Sequence, residues 1–223
     1  MKILHLETSS KNCSVAISDG DELLCLCEEV SENYKQSESL HTFVEWALEG
    51  AEITLNDLDA VCVGKGPGSY TGLRIGASSA KGFCFGLQIP LLAVESLEAM
   101  VEPFLNRDFD FIIPLLDARR MEVYTAVFQG KTGEKLSETE AKILDEFSFQ
   151  DFQEKKVLFV GDGATKAKEI LKLPNAQYEE HVFPSAKYLI KKAVEKFKEK
   201  DFEDIAYFEP FYLKDFQGVK KKK

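Results

Sequence analysis

The sequence predicts an α/β protein of two tandem, related subdomains, each a mixed sheet flanked by helices. Three observations carry this. Residues 1–30 read as short β-rich runs joined by tight turns, which is the pattern of an antiparallel meander. Helical and strand segments then alternate up to about Val101, which adds αβ units to that meander. The pattern breaks at Glu102–Phe111, around Pro103 and a polar stretch, and restarts in the same strands-then-helices order. A chain of 223 residues suits one large or two small domains. The expected division is 1–106 and 107–223, with the last ~15 residues free to pack back on the first subdomain.

The elements follow in order. Lys2–Thr8 and Cys13–Ser18 read as strands around the turn Ser9–Asn12, and Asp19-Gly20-Asp21 turns into a third strand, Leu23–Val30. From about Glu38 to Ala51, the residues Leu40, Phe43, Val44, Ala47, Leu48 and Ala51 recur at helical spacing and form one apolar stripe. Trp46 lies off that stripe. It is either partly buried against a neighbour or an exposed anchor for a partner, since Trp is enriched at interface hot spots. Ala60–Gly64 reads as a buried strand and Gly72–Gly86 as a helix left nearly bare by Gly76, Ala77, Ser78, Ser79, Ala80 and Gly82. Interior glycine costs a helix about 1 kcal/mol relative to Ala, so such a helix is expected to pack closely on another element. Pro90–Val94 (strand) and Glu95–Val101 (helix) complete the first half. In the second half, strands are expected at Phe111–Leu116, Glu122–Phe128 and Lys135–Ile143. A helix at Asp145–Glu154, a strand at Val157–Val160, and helices at Ala164–Leu171 and Ser185–Lys200 follow. The terminal Lys220–Lys223 reads as a solvated tail or a basic arm.

Charge and cysteine usage narrow the function classes. The net charge is −10. Sequence-independent nucleic-acid affinity comes from Lys and Arg neutralising phosphates, so this chain is expected to bind nucleic acid poorly by itself, any such contact being indirect. The five cysteines form no CxxC pair and no Cys/His cluster, which points to buried, reduced thiols in a cytoplasmic protein. The start lacks a signal-peptide pattern, and the longest apolar run, Phe83–Val94, is too short to span a bilayer.

The most informative segment is Gly64-Lys65-Gly66-Pro67-Gly68-Ser69-Tyr70-Thr71-Gly72-Leu73-Arg74-Ile75-Gly76, between a buried strand and a helix. A glycine-rich turn at a helix start can hold an anion. The Walker pattern, however, needs Lys at the end of the loop, and here it comes early. The Rossmann spacing is absent as well.

This run, Gly66-Pro67-Gly68-Ser69-Tyr70-Thr71-Gly72-Leu73-Arg74, resembles the signature loop of the TsaB/TsaD family, formerly called glycoprotease-like. His5–Ser9, Gln36–Leu40, Asp117-Ala118-Arg119 with Glu122-Val123-Tyr124, and Pro210–Lys214 resemble other family segments in the same order. The resemblance is dense to about residue 128 and sparse beyond. It implies the actin/Hsp70/sugar-kinase (ASKHA) fold. In the catalytic TsaD branch, a stretch like Val-Asn-His-Leu-Glu-Gly-His carries two metal-binding histidines. Here Val94, Leu97 and Glu98 match, and the histidine positions hold Ser96 and Met100. Neither suits a metal held by imidazoles, and His5, His41 and His181 make no spaced pair.

The resemblance therefore implies the TsaB branch: a non-catalytic subunit that binds a TsaD-like paralogue, acts with a TsaE-like ATPase, and forms a homodimer when alone. Its interface is expected on Trp46, Gly76, Ser79, Gly82 and Phe83. The nucleotide cleft of the fold would survive only in vestigial form, at Glu7, Thr8, Ser9, Gly161, Asp162 and Gly163, so no cofactor is expected and ATP or ADP binding should be weak or absent. Gly161–Gly163 also reads as a plain helix cap. The rival readings are a small ATP-dependent phosphotransferase and a metallopeptidase.

Overall fold

The structure, a computed structural model, describes residues 1–31 and 36–214. The tail Lys220–Lys223 lies outside the described residues. β1 (Lys2–Glu7), β2 (Asn12–Asp19) and β3 (Glu22–Val30) pair antiparallel in sequence. α1 (Gln36–Gly50) returns the chain to β4 (Ala60–Gly64), which runs parallel to β1; α2 (Tyr70–Leu87) leads to β5 (Leu91–Val94), parallel to β4. The first sheet thus has the order β3-β2-β1-β4-β5.

A short helix, α3 (Ser96–Val101), opens the second half. There β6 (Phe111–Asp117), β7 (Glu122–Thr125) and β9 (Glu140–Ile143) pair antiparallel, with a two-residue β8 (Phe128–Gln129) added on β6. β10 (Val157–Gly161) and, after α4 (Ala164–Ile170), β11 (Ala176–Glu180) extend it in parallel. The order β9-β7-β6-β10-β11 repeats that of the first sheet, strand for strand and direction for direction. The repeat expected from the sequence is therefore one of topology.

Alternation of side chains sets the layers. On one face of the first sheet, Leu4, Leu6, Val15, Ile17, Val61 and Val63 pack under the α1 stripe and under Ala77, Ala80 and Cys84 of α2. On the other face, Ile3, Cys62 and Leu92 meet Ile190, Ala193 and Val194 of α5 (Ile190–Glu199). α3 lies on one face of the second sheet and α4 on the other. The return of the chain to the first sheet thus begins near Ala186, well before the last ~15 residues. The reason is the apolar face of α5, which the first sheet buries.

Several sequence expectations change. The helix expected at Asp145–Glu154 is a turn, with only Gln150–Phe152 in a 3-10 turn. Asp145 Oδ1 accepts from the Phe147 N–H and the Ser148 hydroxyl, a local bonding pattern that competes with a helix. The strand expected at Glu122–Phe128 is split between partners, β7 on β6 and β9, and β8 on β6. Ser185–Lys200 opens with a 3-10 turn, Ala186–Leu189, before α5. The polar edge strand β11 was not expected.

Candidate functional site

The glycines of the signature loop are set by the end of β1. The Glu7 carboxylate is fully buried; its Oε1 accepts from the Ser9 N–H at 2.7 Å and its Oε2 from the Ser96 hydroxyl at 2.9 Å. A Cβ at Gly64 would overlap that carboxylate, and one at Gly72 would overlap the Thr8 carbonyl. Gly68 and Gly76 abut Ser9 and Thr8 in the same way. The Ser69 N–H donates to the Ser9 carbonyl at 2.6 Å, and the Thr8 hydroxyl to the Gly72 carbonyl at 2.8 Å. Gly66, at φ +100°, precedes Pro67 through a cis bond, and its carbonyl accepts from the Ser96 N–H. The Ser69 hydroxyl caps α2 by accepting from the Gly72 N–H.

The loop thus fills the space beside the first hairpin with its own backbone. Of the residues expected in a vestigial nucleotide cleft, Thr8 spends its hydroxyl and Ser9 its carbonyl on this loop. Burial pushes the Glu7 carboxyl above its ordinary range, against the lowering effect of the Ser9 and Ser96 hydrogen bonds. Outside this core, Tyr70 packs on the Tyr212 ring at 4.9 Å, and the Arg74 guanidinium lies over Tyr70 at 5.5 Å. Thr71 and Arg74 are exposed.

Ser96 and Met100 stand one turn apart on α3. Ser96 is held by Glu7. Met100 is fully buried among Leu116, Leu158 and Val160, and its methyl lies beside Gly161. No group of three or more His, Cys, Asp or Glu suited to a metal occurs among the described residues.

In the second half, Gly161, at φ +132°, lies against the Leu115 carbonyl, and the Gly163 N–H donates to that carbonyl at 2.9 Å. Gly163 takes the N-cap position of α4, as the helix-cap reading expects. The Asp162 side chain does not cap that helix. It accepts from the Asp117 N–H at 2.8 Å, and burial raises its carboxyl. Lys166 donates to Asp117 Oδ1 and to the Arg120 and Glu122 carbonyls. A cavity of about 780 Å³ opens between the edge of the first sheet, at Lys65 and Glu95, and the C-terminal segment packed on it, with Glu203, Tyr207, Phe211 and Tyr212 among its walls. Its walls are acidic and aromatic, a poor setting for phosphates.

The outer face of the first half is the other candidate surface. Trp46 is 55% exposed, so the anchor reading of this residue has the geometry it needs. Ser79 and Phe83 are half-buried against His41 of α1, with the Phe83 and His41 rings 6.1 Å apart. A Cβ at Gly82 would meet open space. Gly76, grouped with these from the sequence, turns inward onto Thr8 and does not reach this face. The small residues of α2 therefore split. The inward ones admit β1, and the outward ones leave a shallow bare stripe. Phe85, 80% exposed beside that stripe, was missed; its position three residues after Gly82 was the available signal.

Compared with known proteins, residues 28–217 match the family described as "TsaD: tRNA N6-adenosine threonylcarbamoyltransferase". A protein of Bacillus subtilis named "tRNA threonylcarbamoyladenosine biosynthesis protein TsaB" is 32% identical over 77% of this chain and 75% of its own length. The chain belongs to the TsaB family. An Escherichia coli protein of the same name is 28% identical over 99% of this chain and 98% of its own. The solved structure titled "YeaZ from Pseudomonas aeruginosa" superposes with a TM-score of 0.83 at 25% identity, covering 95% of this chain and 99% of that one. A Clostridium difficile dehydratase activator with bound ADPNP superposes at 0.54 and 11% identity, a likeness of fold alone. The architecture is the ASKHA fold expected from the TsaB/TsaD resemblance. No helix among the described residues is long and apolar enough to cross a membrane.

Proposed function

We propose that this TsaB-family chain is a non-catalytic scaffold subunit. It binds and activates a TsaD-like paralogue in the complex that transfers a threonylcarbamoyl group to adenosine of tRNA near the anticodon. One observation carries the non-catalytic reading: the two positions that hold metal-binding histidines in the catalytic branch are Ser96, spent on Glu7, and Met100, buried in the core. The chain contributes binding free energy and orientation, and no reacting group.

The partner face is the outer surface of α1 and α2, with Trp46, Ser79, Gly82 and Phe83. Such a patch can pair with its equivalent on a second copy or on a paralogue of the same fold. The homodimer and the heterodimer therefore compete for it. A TsaE-like ATPase joins the assembly, and tRNA is held by the partner, consistent with the net charge of −10. The chain works in the cytoplasm. The two subdomains divide near residue 106, with the segment from Ala186 packed on the first. Glu7, Thr8, Ser9 and Gly161–Gly163 are relics of a nucleotide cleft. The first three are now bonded to the signature loop and Ser96, so ATP and ADP bind this chain weakly or not at all.

Reconstitution tests the reading. A TsaD-like protein of the same organism, supplied with threonylcarbamoyl-AMP and tRNA, should modify adenosine efficiently only when this chain is present. Ser96→Ala should leave that stimulation intact. Equal modification without this chain would sink the scaffold reading. Calorimetric binding of ATP with magnesium below about 100 μM, roughly −5.5 kcal/mol, would favour a small phosphotransferase instead.

A further inference from the structure

Three of the five cysteines are buried, but Cys25 and Cys27 are only half-buried, and they stand together. Both lie on β3, the edge strand of the first sheet. Residues two apart on a strand share a face. Cys25 pairs with Ile17 and Cys27 with Val15, both of which face α1, so the two thiols also look toward α1. Cys25 Sγ lies over Gly50 at the C-terminal end of that helix, where an added Cβ would come within 2.7 Å of the sulfur. The two side chains are therefore neighbours on that face of β3.

The surroundings define what such a pair can hold. No third His, Cys, Asp or Glu completes a metal group among the described residues. Structural zinc takes four ligands, so two thiolates in an apolar setting do not suit it. Soft thiolates favour Cu(I), an ion that two sulfurs can hold in a line. A direct disulfide fits less well. Residues two apart on a strand have Cα atoms about 6.6 Å apart by strand rise, near the upper end of what disulfides span.

We propose that Cys25 and Cys27 form a two-thiolate site for a soft, thiophilic monovalent cation, Cu(I) being the fitting ion. On binding, each S–H bond gives way to an S–Cu bond and two protons pass to solvent. Copper stays Cu(I) and no electrons move. Because two protons leave on binding, the cation competes with them and binding tightens as pH rises. This site is independent of the scaffold reading.

Trp46 supplies a local reporter. It is the sole tryptophan and lies one helical turn before Gly50, on the same side of α1. The full chain is titrated anaerobically with Cu(I) against a bathocuproine competitor, together with the variants C25S, C27S and C62A. The expected result is one Cu(I) per chain with quenched Trp46 emission, tighter at higher pH. C25S and C27S should each weaken binding by at least about 100-fold, and C62A should leave it unchanged. Binding that survives C25S and C27S, or a wild type that cannot compete with bathocuproine, overturns the proposal. Should a serine variant fail to fold, phenylarsine oxide on the wild type replaces it. This arsenical takes two thiols and releases water. Peptide mapping that places arsenic on Cys25 and Cys27 supports the site, and mapping elsewhere, or no adduct, overturns it.

Discussion

The Ser96 hydroxyl donates to Glu7 Oε2 at 2.9 Å, tying the start of α3 to the end of β1. The bond occupies the position that holds a metal-binding histidine in the catalytic branch. It explains why that position cannot simply be converted back. The double substitution Ser96→His with Met100→His should yield no tight zinc site by calorimetry. Overpacking at buried Ser96 and an unpartnered imidazole at buried Met100 should together cost about 2–6 kcal/mol in denaturant unfolding, at ~1–3 kcal/mol per site. Nanomolar zinc binding by a stably folded double variant would show that the environment of a catalytic site had survived.

Gly72 and Gly82 lie on one helix and should respond in opposite directions. An alanine at Gly72 overlaps the Thr8 carbonyl and should destabilise by roughly 2 kcal/mol or more. An alanine at Gly82 enters open space and should stabilise the isolated subunit by about 0.5–1 kcal/mol. Thermal melts of both variants, at concentrations where the chain is monomeric, decide this.

The crossing from the second half back to the first is fastened by Glu28. Its Oε2 accepts from the Asn12 amide and from the Ser14 and Ser185 hydroxyls, the last at 2.6 Å, and Lys187 stands 3.6 Å from Oε1. Burial pushes this carboxyl up, but the hydrogen bonds from Ser185, Asn12 and Ser14 and the Lys187 charge outweigh it and hold it below its usual range. Its contribution is present above the ordinary Glu range and is lost as pH falls through the lowered value. Glu28→Ala should cost about 2–3 kcal/mol, because several donors lose a charged acceptor. Protease nicking near Pro184–Lys187 should rise in parallel, and unchanged resistance would refute the clamp.

Two buried groups set opposed pH dependences. Burial holds His5 neutral, with its pKa at about 3 against an ordinary 6.5. Between those values the unfolded chain binds more protons, so stability falls as pH falls, by at most about 1.4 kcal/mol per unit. Glu7 has a raised pKa. Its contribution is present below the unfolded value and is lost as pH rises through the folded one. His5→Gln should flatten the acid limb of a stability–pH curve, and Glu7→Gln should flatten the loss on the rising side. Urea melts from about pH 4 to 8 measure both slopes, and unaltered slopes in either variant would contradict the assignment.

The first half was legible because its strands are apolar and its α1 stripe is regular. Leu40, Phe43, Val44, Ala47 and Leu48 are all buried as their spacing predicts. The split of α2 was not legible, because Gly76 and Gly82 look alike until β1 is placed against one of them. The second half hid β11, whose Ala-Gln-Tyr-Glu-Glu sequence has the polar character of an exposed edge. Helical composition misled at Asp145–Glu154, where Asp145 and Ser148 bond locally instead. The Glu7–Ser96 contact joins residues 89 apart in sequence, and no local pattern reports it.

The most direct test of the scaffold account is size-exclusion chromatography with light scattering, on the wild type and on Gly82→Arg, each alone and mixed with a TsaD-like protein of the same organism. Arginine at Gly82 enters open space, so the variant should melt like the wild type. The account predicts a wild-type homodimer that gives way to a one-to-one heterodimer, and a variant that forms neither. Separate elution of the wild type and its partner at every concentration, or a Gly82→Arg variant that assembles as well as the wild type, would contradict it.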